Sequence, residues 1–291
     1  MATTINGGFE TLISRLTPTK REASASSGHR TSVAAKLESA LAVKNFFGTG
    51  SSSNGTNVRF RSDVDFFASI PHQSQRDNSD RMLLVVKEVL QERYPDTKIR
   101  IRNPAIVCEF GTDASEKLEV VPAYYVGRND ANDSNIYKIP DGSGGWVKSS
   151  PRIHNAYVTE VNGDQGGKVK PLIRLIKAVK YYNNIPISSF YLELRIAKWA
   201  STEPSIVYSH DVRSMLRHIV TCELAKMRDP KGISGYVPAA STESYRKDAL
   251  SELETALGRA NRARDAENAN KTATAFEYWD KVFDGKFPTY G

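Results

Sequence analysis

The hydrophobic pattern of the chain changes period once, near Pro151, and that change limits the folds open to it. Before it, three short apolar runs with strand character lie at Val64 to Ile70, Ala105 to Phe110 and Leu118 to Val121. They alternate with helical spacing at Val33, Leu37, Ala40 and Leu41 and again at Met82, Val85, Val86, Val89 and Leu90. A Gly111-to-Glu116 turn makes a hairpin of the last two runs. After Pro151 the spacing predicts helices at Pro171 to Tyr182, Ser189 to Ala200, Ser209 to Met227 and Ser244 to about Phe283, with Pro171 at the first position of its helix. The chain therefore reads as α+β, a mixed sheet flanked by helices in residues 1–150 and a helical lobe in residues 151–291. The glycine-rich run Asp141 to Gly145 suits a turn or a boundary between the halves, and the segment up to Leu16 has room for one amphipathic turn or two.

Composition narrows the setting. With 291 residues and 40% hydrophobic content the chain can bury a real core, which excludes disorder throughout. Two cysteines, Cys108 and Cys222, argue against a disulfide framework or a Cys-rich zinc site, and the five histidines lack metal-ligand spacing. No stretch of about 18 apolar residues occurs and the amino terminus lacks a signal-peptide core, so a cytoplasmic protein with no membrane partner is expected. Forty Lys and Arg against 33 Asp and Glu leave a charge of +7, which suits a phosphate-bearing ligand, a nucleic acid or simply a basic enzyme.

The chemistry concentrates between Gly50 and Phe67. Alternation along a strand puts Asp63 and Asp65 on one face, with Val64 and Phe66 on the other. Such a pair suits Mg²⁺, which takes a few carboxylate oxygens and completes its shell with substrate phosphates and water. An isolated Asp-x-Asp is more often a solvated strand end. Just upstream, however, Gly50 allows close backbone approach to a phosphate, and Ser51 offers both an N–H and a hydroxyl. No Gly-x-x-x-x-Gly-Lys-[Ser/Thr] run is present, which disfavours a P-loop.

Holding two metals for in-line phosphoryl transfer calls for a third carboxylate. Glu119, a charge within the apolar run Leu118 to Ala123, is the candidate, against the alternative of an edge strand with Glu119 facing water. Glu109 is a less favoured substitute. Lys170, Arg174 and Lys177 recur at i, i+4 and i+7 beside the stripe of Leu172, Leu175, Ile176 and Val179. That basic face could clamp a triphosphate or merely be solvated.

Taken together, the Gly-Ser turn, the Asp-x-Asp strand and the third acid resemble the polymerase-β-like nucleotidyltransferase superfamily. Gly50-Ser51 with Gly55-Thr56, then Ser62-Asp63-Val64-Asp65, is similar to the bacterial cyclic oligonucleotide synthases, or CD-NTases, relatives of cyclic GMP-AMP synthase and 2′-5′-oligoadenylate synthetase. Leu118 to Ala123 resembles their acid-apolar-apolar-Pro-Ala strand, with Glu119 where many relatives carry Asp. Leu172 to Lys177 resembles the oligoadenylate synthetase helix whose Arg and Lys contact the donor triphosphate, which implies that role for Arg174 and Lys177. Ser188 to Glu193 resembles the family's Ser-Ser-aromatic element, implying that Ser189 touches phosphate and Phe190 stacks on the donor base, plain core packing of Phe190 being the alternative.

The resemblance implies a polymerase-β-like core with a C-terminal helical lobe closing the nucleotide cleft. It implies that Asp63, Asp65 and Glu119 hold two Mg²⁺ ions, with Mn²⁺ as a substitute, and that ATP, and GTP, UTP or CTP with it, are joined into a cyclic di- or trinucleotide with release of pyrophosphate. It further implies antiphage signalling of the CBASS type, with an effector protein that binds the product and a regulatory partner protein. The competing expectations are nucleotidyl transfer to RNA or to a small-molecule hydroxyl, and a catalytically silent nucleic-acid-binding module.

Overall fold

The computed structural model describes residues 2–19, 27–59, 64–111, 116–129 and 134–291. The chain opens on α1 (Ile5–Leu16), started by Thr4, whose hydroxyl accepts the Gly7 N–H at 3.1 Å. Helix α2 (Ser27–Leu41), strand β1 (Asn45–Thr49), the short helix α3 (Gly50–Asn54), strand β2 (Val64–Ser69) and helix α4 (Ser79–Arg93) follow. Strands β3 (Lys98–Arg102), β4 (Ala105–Phe110), β5 (Glu116–Asn129), β6 (Ser134–Pro140) and β7 (Trp146–Ser149) complete the sheet, in the order β1-β2-β5-β4-β3 with β6 on the far half of β5 and β7 on β6. Among the described strands of this sheet the β2–β5 pair alone is parallel; its register sets Asp65 opposite Glu119.

Alternation gives the sheet two faces. Phe66 and Ala68 of β2 and Leu118 and Val120 of β5 pack with Met82, Leu83, Val86 and Leu90 of α4 and with Val33 and Leu37 of α2. The opposite face carries a smaller cluster, Phe67, Val121, Ala123, Ala105 and Tyr137. Asp65 and Glu119 continue that second face by their register.

The helical lobe comprises α5 (Pro151–Asp164), α6 (Val169–Tyr182), α7 (Ser189–Ala200), α8 (Tyr208–Thr221), α9 (Glu243–Asn268) and α10 (Thr272–Val282), with the two-stranded ribbon β8 (Met227–Arg228) and β9 (Tyr236–Val237). Helix α1 joins this lobe although it lies within residues 1–150: Ile5, Phe9, Leu12 and Leu16 belong to the helical core, with Phe9 edge-on to Trp279 at 4.9 Å. The division of the chain at residue 150 thus needs that amendment. Among the described residues no helix is long and apolar enough to cross a membrane.

Several local expectations change. Pro171 is the third residue of α6, after Val169 and Lys170. The final helical run is broken at Asn270, whose φ of 56° lies in the left-handed region, so α9 and α10 are separate helices. The Asp141 to Gly145 segment is the turn between β6 and β7, where the Asp141 carboxylate accepts the Ser143 and Gly145 N–H groups at 2.8 and 3.0 Å; no boundary falls there. Helix α3 is the joint of the molecule, touching β1 and β2 on one side and α5 and α7 on the other.

Candidate active site

The two described acids come from neighbouring strands. Parallel register places Asp65 beside Glu119, half-buried and buried respectively. Asp63 lies outside the described residues, and among those described no group of three His, Cys, Asp or Glu converges as a metal cluster. Because β1 pairs antiparallel with β2, Thr49 stands opposite Asp65 and Gly50 follows directly. Gly50 has φ of +59°, and a Cβ added there would lie 2.7 Å from Asp65 Cγ. The backbone turn and the carboxylate are therefore in contact, an approach only glycine permits. Ser51 is buried, and its carbonyl accepts the Thr56 N–H at 2.9 Å.

Electrostatics at the pair is already polarised. The Arg102 guanidinium, from the edge strand β3, stands against Glu119 Oε1 as an ion pair. Carboxylate oxygens on neighbouring strands, with a cation drawn to one of them, fit a hard divalent ion such as the implied Mg²⁺. Glu109 does not compete for that role. Arg100 Nη2 holds it at 3.0 Å and Lys98 Nζ at 3.3 Å, and the hydrogen bond from Arg100, outweighing partial desolvation, lowers its pKa below the usual carboxylate value.

The basic residues of α6 are arranged otherwise than the sequence suggested. Arg174 donates from Nη2 to the Gly55 carbonyl at 2.6 Å and from Nε to the Asn57 carbonyl at 3.2 Å, and burial lowers its pKa. Lys170 Nζ donates to Thr159 Oγ1 at 3.0 Å. Lys177 is 0% exposed, and its Nζ is committed to Glu193 at 2.9 Å. The expected contact of Lys177 with a triphosphate is therefore not what this structure shows, because its charge is neutralised in the interior. The expected clamp faces the turn after α3.

On α7, Ser188 caps the helix by accepting the Tyr191 N–H at 3.3 Å. The Ser189 hydroxyl accepts from Lys180 Nζ at 2.7 Å and lies 3.3 Å from the Tyr181 hydroxyl. Phe190 is 37% exposed, so it is not the core residue of the alternative reading. Its ring meets His154 edge-on, at 5.0 Å and 69°. His154 is itself buried, with Nε2 2.9 Å from Asp229 Oδ2. Burial opposes ionisation of Asp229, but the His154 hydrogen bond and charge, with N–H groups of Ser234 and Lys231, outweigh it and hold that carboxyl far below its ordinary pKa.

Residues 3–162 match the SMODS family, described as the Second Messenger Oligonucleotide or Dinucleotide Synthetase domain. The chain belongs to this family, the bacterial CD-NTases. It is 28% identical over 240 residues to a probable cyclic nucleotide synthase of Bacillus cereus (strain VD146), covering 78% of this chain and 69% of that protein. Among solved structures, Vibrio cholerae DncV cyclic AMP-GMP synthase in complex with the linear intermediate 5′ pppA(3′,5′)pG matches with a TM-score of 0.76 at 12% identity, over 99% of this chain and 97% of that one. CdnC from E. coli MS115-1, in a complex with HORMA-deltaN, matches with a TM-score of 0.73 at 17% identity, over 97% and 98% of the two chains. The CD-NTase fold is therefore shared across nearly the whole length, and this chain is a member of a cyclic nucleotide synthase family of nucleotidyltransferases.

Within this CD-NTase, three residues near the site went unread in the sequence: Arg102, Lys180 and Glu193. For Arg102 a signal existed, since Lys98, Arg100 and Arg102 alternate along β3 and so share one face. Lys180 sits at i+3 from Lys177 on the same helix. For Glu193 there was only a charge in an apolar helix, Leu192 to Leu194.

Proposed function

We propose that this CD-NTase joins nucleoside triphosphates, ATP among them, into a cyclic di- or trinucleotide. The observation that carries this is the contact of the Gly50 turn with Asp65, itself in parallel register with Glu119. Such an arrangement brings a backbone turn fit for phosphate and a pair of carboxylates to one place, which a polyanion-binding module has no use for.

In this reading Asp65 and Glu119, with Asp63, hold two Mg²⁺ ions. The ions, when bound, neutralise the triphosphate and lower the pKa of the attacking ribose hydroxyl. Gly50 and Ser51 present backbone and hydroxyl donors to the phosphates. Phe190, exposed and braced by His154, would offer its ring face to the donor base, and the adjacent Ser189, which accepts from Lys180, would meet its phosphates. The hydroxyl oxygen bonds to the α-phosphorus, the bond from that phosphorus to the α–β bridging oxygen breaks, and pyrophosphate leaves while the hydroxyl proton passes to solvent. A last, intramolecular step of the same kind closes the ring. Positioning and charge neutralisation supply most of the rate.

The setting we infer is cytoplasmic antiphage signalling of the CBASS type, in which the product activates an effector protein. The CdnC complex with HORMA-deltaN supports a regulatory partner protein for this chain as well. Incubation with each triphosphate and with all four, in Mg²⁺ or Mn²⁺, followed by mass spectrometry, tests the reading. A phosphatase-resistant product without terminal phosphates is expected, and Asp65→Asn is expected to abolish pyrophosphate release with its fold unchanged by circular dichroism. Linear products extended on RNA, an adduct on a small-molecule hydroxyl, or undiminished turnover in Asp65→Asn would refute it.

A further inference from the structure

Glu193 sits on α7 at i+4 from Ser189 and i+3 from Phe190, and is 6% exposed. Its Oε1 accepts from Lys177 Nζ at 2.9 Å and from Thr56 Oγ1 at 2.7 Å, and its Oε2 accepts from Asn54 Nδ2 at 3.2 Å. Lys177 and Thr56 are fully buried and Asn54 nearly so. One carboxylate thus gathers donors from α6, from α3 and from the turn that follows α3. Arg174, one turn before Lys177, grips the same turn from its carbonyl side at Gly55 and Asn57. Residues 54–57 are held at both their side chains and their backbone by two helices of the other lobe.

Stability does not account for this cluster. A buried ion pair roughly breaks even against desolvation, and an apolar pair of the same shape serves a core as well or better. What charge adds is direction, since a carboxylate shared by three donors has one low-energy arrangement. The path from there to the phosphate turn is short: the Thr56 N–H bonds to the Ser51 carbonyl at 2.9 Å and the Gly55 N–H to the Ser52 carbonyl at 3.3 Å. Any rotation of Thr56 is passed to Ser51 and Gly50, and Gly50 in turn abuts Asp65.

We propose that Glu193 is a positioning residue of the nucleotide cleft: through Lys177, Thr56 and Asn54 it locks residues 50–57 onto α7, so that Gly50 and Ser51 keep one spacing from Ser189 and Phe190. The inference rests on reading that cleft as the site of nucleotidyl transfer. It also gives Lys177 its role, which is to hold the Glu193 carboxylate aimed at Thr56 and Asn54.

Four full-length proteins test it: the wild type, Thr56→Val, Thr56→Ser and the double variant Lys177→Met with Glu193→Gln. Thr56→Val keeps shape and ion pair while deleting the hydroxyl that donates to Glu193 at 2.7 Å and lies 3.5 Å from the Ser51 carbonyl, and the double variant removes the charges together. For each, Tm, the amide hydrogen exchange of residues 50–57 and the kcat and KM of pyrophosphate release are measured. Thr56→Val is expected to keep Tm within about 3 °C, to speed exchange in residues 50–57 and to lower kcat/KM about tenfold, chiefly in kcat, with Thr56→Ser recovering most of the loss. The double variant should fold with Tm near the wild type and lose more than about tenfold in kcat/KM.

Rates and exchange that stay within about twofold of wild type in both Thr56→Val and the double variant would overturn the proposal, as would a Thr56→Ser no better than Thr56→Val. Should the double variant not fold, the Thr56 pair decides. A wild type that releases no pyrophosphate refutes the nucleotidyltransferase reading instead, and the lock is then judged on exchange alone: unchanged exchange in the variants overturns it, faster exchange confined to residues 50–57 upholds it.

Discussion

Gly50→Ala separates two effects that coincide at one residue. At φ +59° a Cβ costs about 1–2 kcal/mol in backbone strain. The same Cβ would lie 2.7 Å from Asp65 Cγ, and relieving that overlap costs about another 1–3 kcal/mol. The total of about 2–5 kcal/mol, at about 2–4 °C per kcal/mol for a chain near this size, lowers Tm by about 4–20 °C. Gly142→Ala is the control, since Gly142 has φ of +86° with nothing within 4 Å, so only the strain applies and Tm falls by about 2–8 °C. Activity discriminates more sharply. If the clash is relieved by moving the Asp65 carboxylate, a displacement near 1 Å removes about a hundredfold of the pyrophosphate-release rate. Gly142→Ala, in the β6–β7 turn, moves no group of the site. Scanning calorimetry and a coupled pyrophosphate assay on the three proteins give both numbers. Gly50→Ala indistinguishable from Gly142→Ala in Tm and in rate would refute the close contact between turn and acid.

Phe190→Ala removes a stacking face worth about 1–3 kcal/mol, so KM for the donor should rise about 5- to 150-fold with kcat little changed; an unchanged KM assigns the ring elsewhere. Asp229 has a folded pKa depressed below its ordinary 3.8, so the stability it contributes is present above that value and is lost as pH falls below it. Asp229→Asn should therefore unfold at lower urea than wild type at pH 7 and show a shallower loss of stability on acidification below about pH 4; equal midpoints at pH 7 would contradict this. Arg102→Ala takes away a cation held against Glu119, so calorimetric titration with Mn²⁺ and no nucleotide should show affinity raised about three- to tenfold, and weaker binding would show that Arg102 organises the acid instead of competing for it.

What the sequence made legible follows from periodicity. Alternation fixes the faces of a strand whatever surrounds it, so the placement of Phe66 and Phe67 on opposite sides, and of Glu119 beside Asp65, was within reach once two runs were read as neighbouring strands. Helix α1 was not: its stripe of Ile5, Phe9, Leu12 and Leu16 says that it packs, whereas its partners, Trp279, Phe283 and Phe287, lie at the other end of the chain. Strand β3 gives no strand signal, because Lys98, Arg100 and Arg102 outnumber its apolar residues, a composition that an edge strand tolerates and a central one does not.

The basic stripe of α6 shows where such reading stops. Spacing at i, i+4 and i+7 places Lys170, Arg174 and Lys177 on one side of a helix but leaves open what that side meets. Here it meets the turn after α3, whose carbonyls at Gly55 and Asn57 take Arg174, and then Glu193, which takes Lys177 out of water altogether. A lysine that keeps its charge when fully buried needs an acid buried with it. Leu192-Glu193-Leu194 was a hint that such an acid existed, because a carboxylate in an apolar turn needs a cation as much as the reverse. Two unexplained charges of opposite sign on successive amphipathic helices are most economically explained by each other. The basic face of α6 thus grips the protein's own turn at Gly55 to Asn57, and in the proposed reading contact with substrate falls to the residues which that turn and α7 carry.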